Sequence, residues 1–152
     1  MSSDVGPRNR AYVGFVTTPK YFDDVVQQFL AVAPSGVGVM QRVLHVPEYG
    51  YGLDERARTF GLLEEAAHAL ADSHCQIVAQ TGTNWVHCQG TTGPAEIEAF
   101  CASVEERTGV PFVMAGHCIV EALRELGAER LELLKRRRVR RVVLAEGRVS
   151  CR

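Results

Sequence analysis

The residues best suited to chemistry lie in a few short stretches of this 152-residue chain. Thr81–Gly93 (TGTNWVHCQGTTG) has no periodicity and is rich in glycine, threonine and asparagine. Gly82 permits a turn or a close backbone approach, and Thr83 and Asn84 add hydroxyl and amide donors beside free backbone N–H groups. Small donors at the end of a strand suit a carboxylate or an oxyanion. The competing reading is a loop held by its own side-chain-to-backbone bonds. Gly116-His117-Cys118 opens a helix directly after a strand, where N–H groups and the helix dipole favour an anion and can lower a thiol pKa. His87-Cys88 is a second such dipeptide. Neighbouring side chains diverge, so neither dipeptide forms a nucleophile–base pair by itself. Cys118 and Cys88 are the thiol candidates, against the alternative of small buried hydrophobes.

Other chemistries lack their patterns. The five cysteines (Cys75, Cys88, Cys101, Cys118, Cys151) contain no CxxC, so neither a zinc ribbon nor a thioredoxin-type pair is supported. No third donor stands at metal-ligand spacing from either His-Cys dipeptide, and no metal site is read from the sequence. GxxxxGK[ST], GxGxxG after a strand, and GxSxG are all absent. Glu64-Glu65, Glu96/Glu98 and Glu105-Glu106 fall on helices at solvent-type positions and read as solvated faces.

The elements that must position these residues alternate. Ala11–Val16 is a short apolar strand closed by Thr17-Thr18-Pro19, and Tyr21–Val32 carries a helical stripe. Gly36–His45 is a second strand, and Val46–Leu53 a loop by its proline and glycine content. Asp54–Asp72 reads as one helix with Asp54 as its cap. Cys75–Gln80 is a third strand. Pro94–Arg107 is a helix opened by proline and closed by Thr108-Gly109. Pro111–Met114, Gly116–Leu126 and Arg130–Leu134 complete the series as strand, helix and fifth strand.

This alternation predicts an α/β fold: a single three-layer sandwich with a mostly parallel, flavodoxin-like sheet in the order 2-1-3-4-5. Ligands of such sheets bind at the carboxyl edge of the strands. That rule nominates Thr17 and Thr18, the Tyr49–Tyr51 loop with Tyr51, the Thr81–Gly93 loop, and Ala115–Cys118.

At 16.7 kDa, with 46% hydrophobic and 23% charged residues, the chain fits one globular domain with a core of its own. No apolar run is long enough to span a membrane, and the first residues, MSSDVGPRNR, have no apolar signal region, so cytoplasm is the default expectation. The net charge of −1 hides a split. Residues 135–152 hold eight bases against Glu146, a balance of +7, which leaves −8 over residues 1–134. The run KRRRVRR at Lys135–Arg141 suits phosphate backbones, but no aromatic accompanies it for base stacking, so nucleic acid is not the expected partner. Val142–Ala145 is a candidate short edge strand.

Several stretches together resemble the aspartate/glutamate racemase superfamily. They are Val13-Gly14-Phe15-Val16, then Ile77–Asn84 (IVAQTGTN), then Thr108-Gly109-Val110-Pro111-Phe112, then Glu121–Leu131 (EALRELGAERL). Within that superfamily the sequence is similar to the arylmalonate decarboxylase and maleate cis-trans isomerase branch, over roughly residues 10–134. The resemblance implies two similar α/β halves with the active site between them. It also implies action on small carboxylic acids without metal or organic cofactor. Racemases and maleate isomerases use one cysteine from each half, whereas arylmalonate decarboxylases keep the second-half cysteine and have glycine at the first position. Gly82 matches that first position, and Thr83 and Asn84 match positions that hold the substrate carboxylate. The resemblance therefore implies a cofactor-independent decarboxylase, isomerase or racemase acting on an arylmalonate- or maleate-like acid. Substrate-binding candidates are Thr17, Thr18, Tyr51, Gly82, Thr83, Asn84, Gly116 and His117.

The second-half cysteine has no counterpart here. Residues 1–134 read as the racemase-like domain, and residues 135–152 as a basic tail resembling a truncated or frame-shifted gene end. A homodimer would be one way to build a cleft from two copies. The other function class is a non-catalytic half-domain that binds a carboxylate or a partner.

Overall fold

The computed structural model describes residues 9–19, 23–50, 52–87, 93–128, 130–135, 138–145 and 148–151; beyond residue 128 the description is of backbone alone. Four strands, β1 (Ala11–Thr17), β2 (Val37–Val43), β3 (Ile77–Gln80) and β4 (Phe112–Met114), form an all-parallel sheet in the order β2-β1-β3-β4. Helices α1 (Val25–Val32), α2 (Leu53–Arg58), α3 (Gly61–Asp72), α4 (Pro94–Thr108) and α5 (Ala115–Glu125) surround it.

The period of two along each strand decides what each sheet face meets. Val16, Gln80 and Met114 stand in one register row, and Gly14, Val78 and Phe112 in another, all on one face. Leu70 of α3 packs directly over Gly14, so this face looks into the core with α3 and α4. Val16, Val78, Leu63, Ala67 and Val104 are fully buried there. The opposite face carries Phe15, Ala79 and Val113 in one row. Phe29 of α1 meets Phe15 edge-on, with ring centroids 5.3 Å apart, and α5 flanks β4.

Three expectations change. The helix expected over Asp54–Asp72 is two helices. The Thr59 hydroxyl donates to the Glu55 carbonyl at 2.9 Å at the end of α2, and Phe60 turns into the core against Phe100, with centroids 4.7 Å apart. Asp54 is not the cap; Gly52 occupies that position and Asp54 lies in the first turn. The segment after β3, expected to be aperiodic, winds into a 3₁₀ helix over Thr83–His87, because Trp85 and Val86 are buried among core side chains.

The third change concerns the fifth strand. β5 (Arg130–Lys135) does not extend the parallel sheet. It pairs antiparallel with β6 (Arg138–Ala145), which pairs antiparallel with β7 (Arg148–Cys151). Antiparallel neighbours close over a short connection at small entropic cost, so the valine-bearing segment next in sequence captures β5. Residues 142–145 accordingly sit in a middle strand, not an edge strand.

The core makes a direct stability prediction. Leu63 is fully buried under the sheet, so Leu63→Ala should cost about 2–5 kcal/mol, read as a lowered urea midpoint at unchanged m-value.

Candidate functional site

The sheet order places a topological switch between β1 and β3. From β1 the chain crosses to β2 on one side, and from β3 to β4 on the other, so the connections part above the carboxyl ends of the two central strands. A cleft of about 440 Å³ opens there. Its apolar walls come from the sheet face (Phe15, Ala79, Val113) and from Val25, Ala115 and Ile119 of the flanking helices. Its polar end is built by Thr18, Asp23, Asp24, Gln80, Thr81, Gly82 and Thr83, and Cys118 joins from α5.

The polar end is held by the strand ladder. The Thr81 N–H donates to the Val16 carbonyl at 2.9 Å, continuing the β1–β3 pairing beyond the last strand residue. The Thr81 hydroxyl then donates to Asp23 Oδ2 at 2.6 Å, while Asp23 Oδ1 accepts the Val25 N–H at 3.1 Å. The Asp23 carboxylate is thereby pinned at the opening of α1, on the cleft wall. Gln80 is buried and its Nε2 donates to the Gly82 carbonyl at 3.3 Å. Gln80 and Trp85 approach Gly82 through Nε2 and Cδ1, and the other polar atoms of these two side chains, Gln80 Oε1 and Trp85 Nε1, are buried without a hydrogen-bond partner among the described residues. Buried polar atoms left unpaired are uncommon and mark places where a polar ligand or water completes the structure.

The sequence candidates divide. Thr18, Gly82, Thr83 and Cys118 line the cleft. Thr17 is buried in the sheet, where its hydroxyl accepts from Gln41 Nε2 at 3.2 Å, and is not among the lining residues. Gly116 serves packing: a Cβ there would stand 2.6 Å from the Thr83 carbonyl oxygen, so glycine lets α5 lie against the 3₁₀ helix. His117 turns toward α4, with Nε2 3.7 Å from Glu98 Oε1. Tyr49 is buried and accepts from Arg56 Nε at 2.7 Å, away from the cleft lining. Tyr51, Cys88 and the side chain of Asn84 lie outside the described residues.

Cys118 corrects one expectation. Its position at the start of α5, beside histidine, suggested a lowered pKa; the thiol is instead pushed up, first by partial burial and further by the Glu121 carboxylate. A bond from its own backbone N–H pulls the other way without prevailing. Burial likewise raises Cys75, and burial with the neighbouring Cys118 takes Cys101 up to about 11.

No protein-family model matches the sequence, and no curated protein matches it. Solved structures do. The maleate isomerase Iso from Pseudomonas putida S16 superposes with a TM-score of 0.59 at 15% identity, over 77% of this chain and 50% of that one. A variant of the same isomerase with maleate gives 0.61 at 17%, over 77% and 49%. Arylmalonate decarboxylase gives 0.56 at 21%, over 76% and 48%. The chain has a partial Asp/Glu racemase-like fold. It spans about half the length of the solved structures it matches.

Within this fold, Gly82 is constrained twice. Its φ of +89° disfavours any side chain, and a Cβ would lie 2.7 Å from Thr18 Oγ1 and 3.1 Å from Trp85 Cδ1. Sequence reasoning missed Asp23 and Gln80. The strand-turn-helix succession after β1 carried a signal for Asp23, since an acid opening the helix after the first strand falls on the carboxyl edge. Gln80 read as the end of a strand and gave none.

Two outcomes check this geometry. Gly82→Ala should destabilise the fold by about 1–3 kcal/mol in chemical denaturation, since alanine must take a positive φ and displace Thr18. Alkylation of Cys118 by iodoacetamide, followed by peptide mass spectrometry, should be slow at neutral pH. Its rate should rise only above the ordinary thiol range, because a raised pKa leaves the thiol protonated there.

Proposed function

We propose that the cleft takes a small carboxylic acid with an apolar or aryl body, and that this half belongs to a cofactor-independent decarboxylase- or isomerase-like site. The observation that carries the reading is a cleft at the switch point with polar groups at one end and apolar walls at the other. Thr18 and Thr83 line the polar end, where a carboxylate would sit, and the Phe15–Ala79–Val113 row suits the apolar body. Decarboxylation of a malonate-type acid breaks the bond to the leaving carboxylate, releases CO₂ and leaves the electron pair delocalised into the remaining carboxyl group as an enediolate. Donors that bind this oxyanion lower the barrier, and a proton delivered to carbon completes the reaction.

The glycine at position 82 favours a decarboxylase-like over a two-cysteine racemase-like site, since its positive φ and a Cβ only 2.7 Å from Thr18 Oγ1 both disfavour a side chain there. Cys118 is the thiol that lines the described cleft, and its raised pKa keeps it in the protonated form that a proton donor needs. Asp23 places a carboxylate on the same wall, so like-charge repulsion weakens, without preventing, the binding of an anionic acid at the polar end. A second copy of the chain facing the cleft would add the groups that a lone half lacks. The second reading, a carboxylate-binding domain without turnover, is favoured by the hydroxyl side chains of Thr18 and Thr83 at the polar end, which suit binding and supply neither acid nor base.

Trp85, the single tryptophan, lies beside Gly82 and supplies the readout. Titration with phenylmalonate should change its fluorescence saturably. Thr18→Val should weaken binding about five- to tenfold, the worth of one hydrogen bond, and Asp23→Asn should tighten it severalfold by removing a like charge. No saturable response to phenylmalonate, maleate or an amino acid overturns the proposal. Turnover lost in Cys118→Ala with binding kept supports the catalytic reading; binding with no turnover in any variant supports the half-domain reading.

A further inference from the structure

Outside the cleft, α4 and α5 bring together three donors that are far apart in sequence. His117 and Glu121 stand one turn apart on α5, and so share one face of that helix. Glu98 of α4 meets them. One ligand atom from each of Glu98, His117 and Glu121 lies within 4.8 Å of the other two. The His117 side chain is only 17% exposed, whereas Glu98 keeps 57% of its surface. The sequence had placed Glu98 on a solvated face; its carboxylate is solvated but aimed at an imidazole.

We propose that Glu98, His117 and Glu121 form a binding site for a divalent cation of the zinc class, clamping α4 to α5. The separation of His117 Nε2 from Glu98 Oε1, 3.7 Å, is too long for a hydrogen bond. It is close to the spacing of two donors sharing one ion, because bonds of about 2.0–2.1 Å in a tetrahedron set donors about 3.4 Å apart. Glu98 is exposed and can turn toward the imidazole, whereas Glu121 is half-buried and turns from its pair with Arg124. The donor set selects the ion. An imidazole with two carboxylates suits zinc and its first-row neighbours, whereas calcium and magnesium prefer oxygen alone. Three protein ligands leave a fourth position for water.

Two neighbours sharpen the assignment. Arg124 already pairs with Glu121 Oε1, so that carboxylate brings its other oxygen to the ion or exchanges partners. The chain also contains a comparison pair: His68 Nε2 lies 3.8 Å from Glu64 Oε1 on α3, but there Arg107 occupies the carboxylate and, among the described residues, no further acid joins the group. The clamp lies on the α4 side of α5, while Cys118, the next residue along, lines the cleft. Cation binding therefore fixes the first turn of α5 without entering the cleft.

The test is a calorimetric titration of the full chain with Zn²⁺ alone, repeated with Mg²⁺ and followed by thermal melting. One saturable zinc per chain, a rise in melting temperature and no response to magnesium are expected. Glu98→Gln, an exposed substitution with little risk to folding, should weaken zinc binding more than about tenfold. His117→Ala should do the same, while His68→Ala leaves binding unchanged. Co²⁺ in place of zinc should give visible d–d bands that disappear in Glu98→Gln. No saturable zinc binding overturns the proposal. So does binding unaffected by Glu98→Gln and His117→Ala, or binding that survives them but is lost in Cys101→Ser, which would assign the metal to thiols.

Discussion

The pairing of β1 with β3 is the interaction on which the cleft depends. Phe15 against Ala79 and Val16 against Gln80 set the register, and the next hydrogen bond, from Thr81 N–H to the Val16 carbonyl, carries the ladder past the strand end. Thr81 is thereby held where its hydroxyl reaches Asp23, and Gly82 where the chain must turn at a positive φ. The two crossovers leave in opposite directions from these strands, so among the described residues the gap between them stays open as the cleft. A one-residue slip would exchange the two sheet faces and send Ala79 into the core in place of Val78 and Gln80.

The vacant Cβ position at Gly82 organises the polar end. Thr18, Gln80 and Trp85 crowd around it, so the space that a side chain would fill is already bounded by polar and aromatic atoms. Gln80 Oε1 and Trp85 Nε1 remain buried and unpaired among the described residues in a region otherwise well packed. An unpaired polar atom in a low-dielectric environment costs free energy.

Helix α5 separates two kinds of chemistry by its rotation of about 100° per residue. Cys118 faces the cleft, whereas His117 and Glu121 face Glu98 on α4. The helix can lie close enough to serve both because Gly116 admits the Thr83 carbonyl at its first turn. The raised pKa of Cys118 follows from the same arrangement: partial burial and the Glu121 carboxylate outweigh the favourable helix start.

Local pattern determined much of the fold. Apolar runs and helical stripes located the four parallel strands and the helices between them, because burial of one face imposes a period that the sequence must carry. The glycine, threonine and asparagine after β3 marked the carboxyl edge for the same local reason: flexible backbone and small donors are written in residue type. Tertiary structure alone decided the rest. Thr17 accepts from Gln41 of β2 and Thr18 lines the cleft, although the period of two puts Thr17 on the Phe15 face; at a strand end that period no longer decides. Trp85 and Val86 turned an aperiodic stretch into a buried 3₁₀ turn, and β6 drew β5 out of the parallel sheet. His117 found Glu98 on another helix. These outcomes depend on which surfaces meet after the chain closes over long sequence distances, and no local spacing encodes that meeting.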